Sequence, residues 1–559
     1  MALAAPSDLV LTPRFGDARL VGSFRFVLSL ALLVSLGVMP QVARAQFGYF
    51  QDVSRLTMDR PIGTARIQGM GGASQAIGAD LSNLATNPAG IGWYQHGELV
   101  AAPAVTNNAA NGKYLGQSVD DSKANLNFSN VGFVFASHPP SNSAKVLRGG
   151  AFAIGINRQA DFQTSVSWAG TSSGVSTDAL GNLSAVANGL VHNYLELARL
   201  NGIGSNILGA AQLFPDQQQV RSAYSVYMID TSTTGGIFTT FLPPADYAQK
   251  MTINTSGSRM SIDIGGGVNL LDRITFGLSA GMGLYNYTEA RNYSETFDKI
   301  YYDGANPIKN DSTYLGSSYT LEDQVSTRGA SFNLRVGVQA LLTKSLRFGA
   351  SVQLPSVYGL YQGYETKLSA NYRNVTQTIT RNGIQNTQRL PTNPFRGPIE
   401  VPDVYYLVTT PWKFSSGLAY VNRKFGIISA DVDYIDYATA SISSPDFNAV
   451  GDDREIRNVY NKVVNVRLGA ELRYENWRGR LGFGQYGNPI SDKIELGYFF
   501  SKGTQYYSVG GGYRDSDFFM DLALTYNRNQ QRYTAHTYTQ HADITQHLWN
   551  LQTTFGYYF

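Results

Sequence analysis

Four sets of residues in this 559-residue chain have types and spacings that invite a chemical reading. Gly170-Thr171-Ser172-Ser173-Gly174 fits the G-x-S-x-G nucleophile elbow. That chemistry needs a strand-to-helix elbow with Asp and His following in an α/β sheet, and here the motif lies in a Ser/Thr/Gly stretch. Gly482-Phe483-Gly484-Gln485-Tyr486-Gly487 fits the dinucleotide signature. Asn488-Pro489 follows where a helix would have to begin, so the match is one of composition. Asp431 and Asp433 share a strand face and suggest paired carboxylates; charge balance by Arg467 and Arg473 is the alternative explanation. His536, His541 and His547 are five and six residues apart, a spacing that does not put them together on one strand face, and the chain has no Cys. The expectation is therefore no catalytic residue, no metal and no cofactor.

The elements that carry these residues are strands with two unlike faces. Val464, Val466, Leu468, Ala470, Leu472 and Tyr474 alternate with Asn465, Arg467, Gly469, Glu471 and Arg473. Ile274, Phe276, Leu278, Ala280, Met282 and Leu284 alternate with Thr275, Gly277, Ser279, Gly281 and Gly283, and the pattern recurs around 260–268, 332–340 and 346–354. Side chains alternate faces along a strand, so each segment has an apolar and a polar side. Three features favour apolar outside and polar inside. The runs reach the roughly 9–11 residues that a tilted membrane strand needs. The polar faces hold much charge and Gly. Tyr285, Tyr287, Tyr358, Tyr361, Tyr434, Tyr437 and Tyr486 collect at strand ends as an interfacial girdle would. Asp431, Asp433, Arg467, Glu471 and Arg473 are then expected to line a lumen.

Composition agrees. Charged residues make up 15% of the chain against the roughly 25% usual for soluble domains, while Gly (57), Tyr (35) and Phe (28) are abundant. A mean hydropathy of −0.18 leaves no room for several apolar helical spans. Arg14, Arg19 and Arg25 precede the apolar run 26–38, and Ala43-Arg44-Ala45 follows, as in a cleaved export signal over residues 1–45. Without it the net charge falls from +3 to +1, which gives nucleic acid no electrostatic hold. The chain ends on Leu551, Thr553, Phe555, Tyr557 and Phe559, one aromatic-rich face that is similar to the terminal signal read by barrel assembly machinery.

Two regions break the alternation. Residues 46–97 hold Gly63, Gly69, Gly71, Gly72, Gly78, Gly90 and Gly92, with Asn87-Pro88-Ala89-Gly90 near the end, a compact irregular piece whose backbone groups need a polar enclosure. From Asp161 to about Thr255, Leu183, Val186, Leu190, Tyr194 and Leu197 recur at helical spacing. Such an apolar stripe suits a greasy ligand or a lipid surface, or else a lid packing on itself.

With Gly69-Met70-Gly71-Gly72-Ala73, Asn87-Pro88-Ala89-Gly90, Thr410-Pro411-Trp412, Asp433-Tyr434, Arg467-Leu468-Gly469-Ala470-Glu471 and Gly511-Gly512-Tyr513-Arg514, the chain resembles the FadL/TodX family of outer-membrane transporters for long-chain fatty acids and other hydrophobic compounds. The resemblance implies an all-β fold: an antiparallel transmembrane barrel of about 14 strands over 98–559, plugged by 46–97. It implies an extracellular helical hairpin within 161–255 that captures ligand, placing ligand binding at Leu183, Val186, Leu190, Tyr194 and Leu197. It also implies a plug gated around Asn87, Pro88, Ala89 and Gly90, a sideways exit through the wall, and a Gram-negative outer membrane as location. Expected partners are a fatty-acid-like ligand, outer-membrane lipid and the assembly machinery. Residues 359–405 depart from the family as a long polar loop, and the family's carboxylate-binding residues have no match. Relatives in protein secretion or surface attachment share the plan and remain the alternative.

Overall fold

The computed structural model describes residues 49–559, except 58–59, 138–145, 178–182, 186–187, 211–214, 232–235, 241–244, 303–305, 308–315, 374, 382–383, 423, 492–499 and 537–538. The expected export signal lies outside the described residues.

Fourteen antiparallel strands form a closed ring. They are β1 (Glu98–Tyr114), β2 (Gln117–Ser137), β3 (Leu147–Asp161, resuming as Thr164–Ser172), β4 (Ala245–Leu270), β5 (Ile274–Tyr302), β6 (Ser318–Leu341), β7 (Leu346–Gln353 and Val357–Asn371) and β8 (Phe395–Thr409 and Lys413–Asn422). The ring continues with β9 (Gly426–Asp436), β10 (Lys462–Tyr474), β11 (Trp477–Tyr486), β12 (Phe500–Arg514), β13 (Phe518–Tyr533) and β14 (Ala542–Tyr558). Each pairs with the next, and β14 returns to β1, from Glu98↔Tyr558 to Lys113↔Asp543. Closure gives every strand a partner on each side over at least part of its length. Pro355 and Pro411, which cannot donate to a ladder, sit where β7 and β8 are interrupted, at matching heights, with Thr410 and Ser356 exchanging bonds across the break.

The faces follow the alternation. Phe276, Leu278, Met282 and Leu284 of β5, and Val464, Val466, Leu468 and Leu472 of β10, are exposed on the outside, whereas Thr275, Ser279, Asn465, Arg467 and Glu471 are buried within. An exposed apolar belt around a closed barrel is a lipid-facing surface. Short turns such as Leu271–Arg273 and Glu475–Asn476 join strands at the end where the chain terminates; long connections crowd the other end. Phe559 exchanges backbone bonds with Gly97, and its ring covers that glycine.

Three expectations change. Tyr285, Tyr287, Tyr358, Tyr437 and Tyr486 are buried inside and do not form a girdle; only Tyr361 and Tyr434 are exposed. Four of the inner tyrosines form the apolar interior with Val53 and Leu56. The stretch 359–405 is largely the upper halves of β7 and β8, joined by a hairpin of Thr376–Arg381 with Ile384–Arg389. The region 161–255 contains the end of β3 and the start of β4 as well as helices, so Gly170–Ser172 is strand and no elbow.

Candidate functional site: plug, chamber and wall seam

The described residues from 49 to 94 lie inside the barrel as helix α1 (Phe50–Thr57), helix α2 (Ala65–Gly69) and two 3₁₀ turns, Leu81–Leu84 and Pro88–Trp93. Irregular backbone at this depth must bond to the wall, and it does. Asp431 of β9 accepts the Ser74 and Gln75 amides at 2.7 and 2.9 Å. Gln339 donates to the Gln75 carbonyl, Ser279 to that of Leu84 and Gln552 to that of Gly63. Thr554 accepts from the Ala65 amide. Asn87 caps the second turn by accepting the Ala89 amide, while its own amide donates to the Gln75 and Val338 carbonyls. Pro88 opens that turn and Gly90 bonds back to Ala79, so Asn87, Pro88, Ala89 and Gly90 tie the plug to β6 and to itself. Wall glycines make the contact possible: a methyl at Gly277 would overlap the Pro88 carbonyl group, and one at Gly482 the Gly71 amide.

The lumen-lining set divides. Arg467 forms a bidentate pair with Asp433 at 2.7 and 2.8 Å, and Asp431 lies 3.7 Å from the same guanidinium. Glu471 bridges Arg480 (2.7 Å) and the plug's Arg66 (3.4 Å), and Arg480 also holds Asp521. Arg473 has inward parity but sits exposed at the rim, so it does not balance the aspartates. Of the histidines, His536 approaches Glu295, His541 lies by Thr534 and His547 by Tyr526, three separate environments.

The helical insertion gives α3 (Gly189–Leu200) and α4 (Pro215–Ser225), which touch each other over the barrel mouth. Leu190 and Tyr194 are fully turned inward among Trp168, Tyr247, Tyr293, Phe297 and Tyr319, with Leu197 half-buried against them. Val186 lies outside the described residues, and Leu183 belongs to a short strand, Leu183–Ala185. The stripe is thus packed as a lid. Glu295 anchors it by accepting the Leu190 amide, Gln249 and Tyr293.

Helix α1 lies beneath this lid. Its Asp52 accepts from Tyr406, Arg55 reaches Glu289 at 3.5 Å over the Tyr287 ring, and Tyr49 packs between Tyr406 and Phe447. Burial, with Asp452, Asp52 and Asp446 nearby, pushes the Tyr49 phenol up to about 12. Burial also raises Asp452, in the first turn of the helix Val450–Val459, whose carboxylate accepts the Phe50 and Tyr49 amides.

Between plug and wall is a chamber of about 960 Å³, counting the open space it joins. Arg60, Arg259, Arg335, Lys413 and Arg467 line it, and so does Gln159, the extra residue where β3 bulges against β4. Beside that bulge the wall has a seam. The β2–β3 ladder runs only from Ser137↔Gly150 to Asn130↔Asn157, although β2 continues up to Gln117 in register with β1. Beyond Phe162–Gln163 the upper part of β3 passes over the inner face of β1: Trp168 lies 4.3 Å from Tyr114, and a methyl at Gly112 would strike the Ser167 carbonyl. Among the described residues, side chains alone span the seam: Asn125 to Asp161 (2.7 Å), Ser165 and Ser167 to Asp121 (2.6 and 3.0 Å), and Lys123 to the Thr255 carbonyl (3.0 Å). The seam and chamber residues were missed in the sequence; the available signal was the loss of an apolar outer face above Leu126.

No family model and no curated protein matches the chain. Solved structures similar to it include the toluene transporter TodX of Pseudomonas putida, at 12% identity over 90% of this chain and 99% of that one with a TM-score of 0.45. The toluene transporter TbuX of Ralstonia pickettii is similar at 13% identity, over 89% and 99%, with a TM-score of 0.42. A FadL homologue of Pseudomonas aeruginosa is similar at 10%, over 89% and 99%, with a TM-score of 0.47.

Proposed function

We propose that the protein is an outer-membrane channel for passive uptake of small molecules with hydrophobic parts, working without cofactor or catalysis. The observation that carries this reading is the seam between β2 and upper β3, next to a lumenal chamber. The barrel wall, without ladder bonds over half a strand, is held there by a few side chains. Ligand meets the lid at half-buried Leu197, and Leu190 and Tyr194, packed inward, become available to it once the lid moves. Leaving water gains it roughly 25 cal/mol per Å² of apolar surface, enough to concentrate it without energy input. Displacement of the lid and of α1 opens the chamber, and parting of the seam lets cargo pass sideways into the bilayer. Membrane entry suits molecules that dissolve in lipid, as do the compounds named for the toluene transporters. The plug residues around Asn87 keep the lumen closed to water throughout.

The chain has no Cys, so a pair placed across the seam is chemically unique. Asn125→Cys with Asp161→Cys, joined by a cleavable bis-thiosulfonate, is expected to abolish uptake of a labelled alkylbenzene and a labelled fatty acid in proteoliposomes, with recovery on reduction. Uptake unchanged by the closed bridge would refute the lateral route. A stoichiometric co-purifying protein, with no uptake at all, would instead favour the secretion reading.

A further inference from the structure

We infer that the outside of the barrel carries a specific site for an anionic phospholipid, between β8 and β12, in the leaflet that borders the short turns. The inference rests on the barrel's place in a membrane and not on the channel reading. A groove of about 1020 Å³, counting the open space it joins, runs along the outer face of these strands. Ala470 and Gly479 form its floor, and Phe425, Ile428, Leu472 and Leu481 stand around it. Those four side chains are 62–70% exposed, against 46–49% for Leu418, Leu468, Leu522 and Leu551 elsewhere on the belt. They overhang small neighbours and find little of the protein to pack on. The glycine has no reason inside the barrel. Inward glycines such as Gly277 and Gly482 make room for the plug, whereas Gly479 faces out, and a methyl built there meets nothing within 4 Å. Its register partner Gly511 is as open, with only the Arg478 carbonyl oxygen near, at 3.9 Å. Glycine weakens a strand, and in a strand interior it marks a close approach by something else. At this depth the surroundings are hydrocarbon, so the groove suits an acyl chain lying against the wall.

The rim below the groove has the chemistry for the polar end of such a lipid. Tyr474 and Trp477 lie one row nearer the turns, both exposed, and the Tyr513 ring is 5.2 Å from that of Trp477, an aromatic row at headgroup depth. Lys424 Nζ lies 5.4 Å from the centre of the Phe425 ring, which lines the groove, and the Arg473 amide donates to the Phe425 carbonyl. Arg478 pairs in register with Arg473 and bends to the turn, donating to the Glu475 and Trp477 carbonyls at 2.7 Å. Arg473 and Arg478 have inward parity but stand at the rim, where long cationic side chains reach past the backbone to the interface. Among the described residues no carboxylate is within ion-pair distance of Lys424, Arg473 or Arg478. The acids of this region are otherwise placed. Glu475 is exposed in the same turn, Glu471 behind Arg478 is held by Arg480 and Arg66, Asp521 is held by Arg480 and Arg514, and Asp515 and Asp517 belong to the next turn. Three cations against one exposed carboxylate leave this stretch of rim positive. Lys and Arg give a lipid phosphate charge-assisted bonds, and an anionic headgroup brings no ammonium of its own to oppose them.

The test uses the full protein, delipidated in nonionic detergent and followed by native mass spectrometry. Phosphatidylglycerol and phosphatidylcholine with identical chains are supplied at equal concentration. The protein is expected to retain one phosphatidylglycerol about tenfold over phosphatidylcholine, with the ratio falling as salt rises. Gly479→Leu fills the groove from its floor, where there is space for the side chain, and should lower phosphatidylglycerol retention about tenfold. Replacing Lys424, Arg473 and Arg478 together by Gln leaves the groove intact and should bring the two lipids to within about twofold of each other. Both variants are expected to keep the heat-modifiable migration of a folded barrel, and the rim variant reads the site independently of any change in the wall. Equal retention of the two lipids by the parent overturns the inference, as does a preference unchanged in the rim variant or in a folded Gly479→Leu. A parent dimer that Gly479→Leu dissolves, with no lipid held by either, also overturns it and makes the groove a contact between copies. In each of those cases uptake still blocked by the Asn125–Asp161 bridge leaves the channel reading standing. Phosphatidylglycerol retained as expected, with uptake indifferent to the bridge, upholds the lipid site and refutes only the lateral route.

Discussion

Asp431→Ala isolates the link between plug and wall. Asp431 Oδ2 accepts two plug amides, those of Ser74 and Gln75, at 2.7 and 2.9 Å in a dry interior. A hydrogen bond to a charged group contributes about 1.5–3 kcal/mol net, so removing both costs the seated plug about 3–6 kcal/mol before any repacking. Arg467 is not orphaned, because its bidentate pair with Asp433 persists. The cost therefore falls on the plug and spares the barrel. At about 1.4 kcal/mol per factor of ten, the local opening constant rises at least about a hundredfold. Amide exchange at Ser74 and Gln75, which tracks that constant when reclosing is fast, should accelerate by the same factor while strand amides of β9 and β10 do not change. Asp431→Asn keeps an acceptor oxygen and should give a clearly smaller acceleration. If Ser74 and Gln75 exchange as in the parent while the variant barrel is folded, the aspartate is not what seats the plug and the reasoning fails.

Two further outcomes test the interior. Gly482→Val drives a side chain into the Gly71 amide, so limited proteolysis should cut the 60–93 segment in the variant and not in the parent, with barrel migration unchanged; protection equal to the parent would show that the plug has slack there. Arg480→Ala leaves Glu471 and Asp521 in the wall, but Arg66 and Arg514 stay at 3.4 and 3.5 Å. The loss of unfolding free energy should thus sit near the low end of the range for a broken buried pair, about 3 kcal/mol in denaturant titrations of the reconstituted barrel.

Much of this architecture was legible. Period-two alternation on β5 and β10 gave the faces correctly because lipid outside and plug inside are unlike solvents, and each residue type tolerates one of them. Asp433 with Arg467 was legible as a charge balance, since the two occupy neighbouring strands. Arg473 was not, because parity says which face a residue takes and not how near the rim it stands. The tyrosines misled for a related reason. Tyr358, Tyr285 and Tyr287 lie at and just above the upper edge of the apolar belt, where the strands enclose α1 in place of the polar plug, so the inward face turns aromatic there. The seam and chamber depend on the bulge in β3 and on cations from four strands and the plug. No local pattern brings those together.

The glycines and the buried charges have one explanation. The wall presents a carboxylate, amide or hydroxyl where the plug offers an unbonded backbone group, as at Asp431, Gln339, Gln552, Ser279 and Thr554. It presents glycine wherever the plug backbone itself comes within contact, as at Gly277 and Gly482. Neither choice serves an empty barrel: glycine weakens a strand, and an unpaired interior carboxylate is costly to desolvate. Wall and plug therefore specify each other, and the plug is not an independent domain lodged in a pore. The chamber and the seam are the exceptions to that fit. At Arg60 the plug turns charge toward the chamber, with Asp161 and Arg259 of the wall near it, and at Gln117–Ser129 the wall forgoes its ladder to β3. A structure so closely matched elsewhere gives up contacts at two adjoining places, and these are where the proposed channel function would put its cargo.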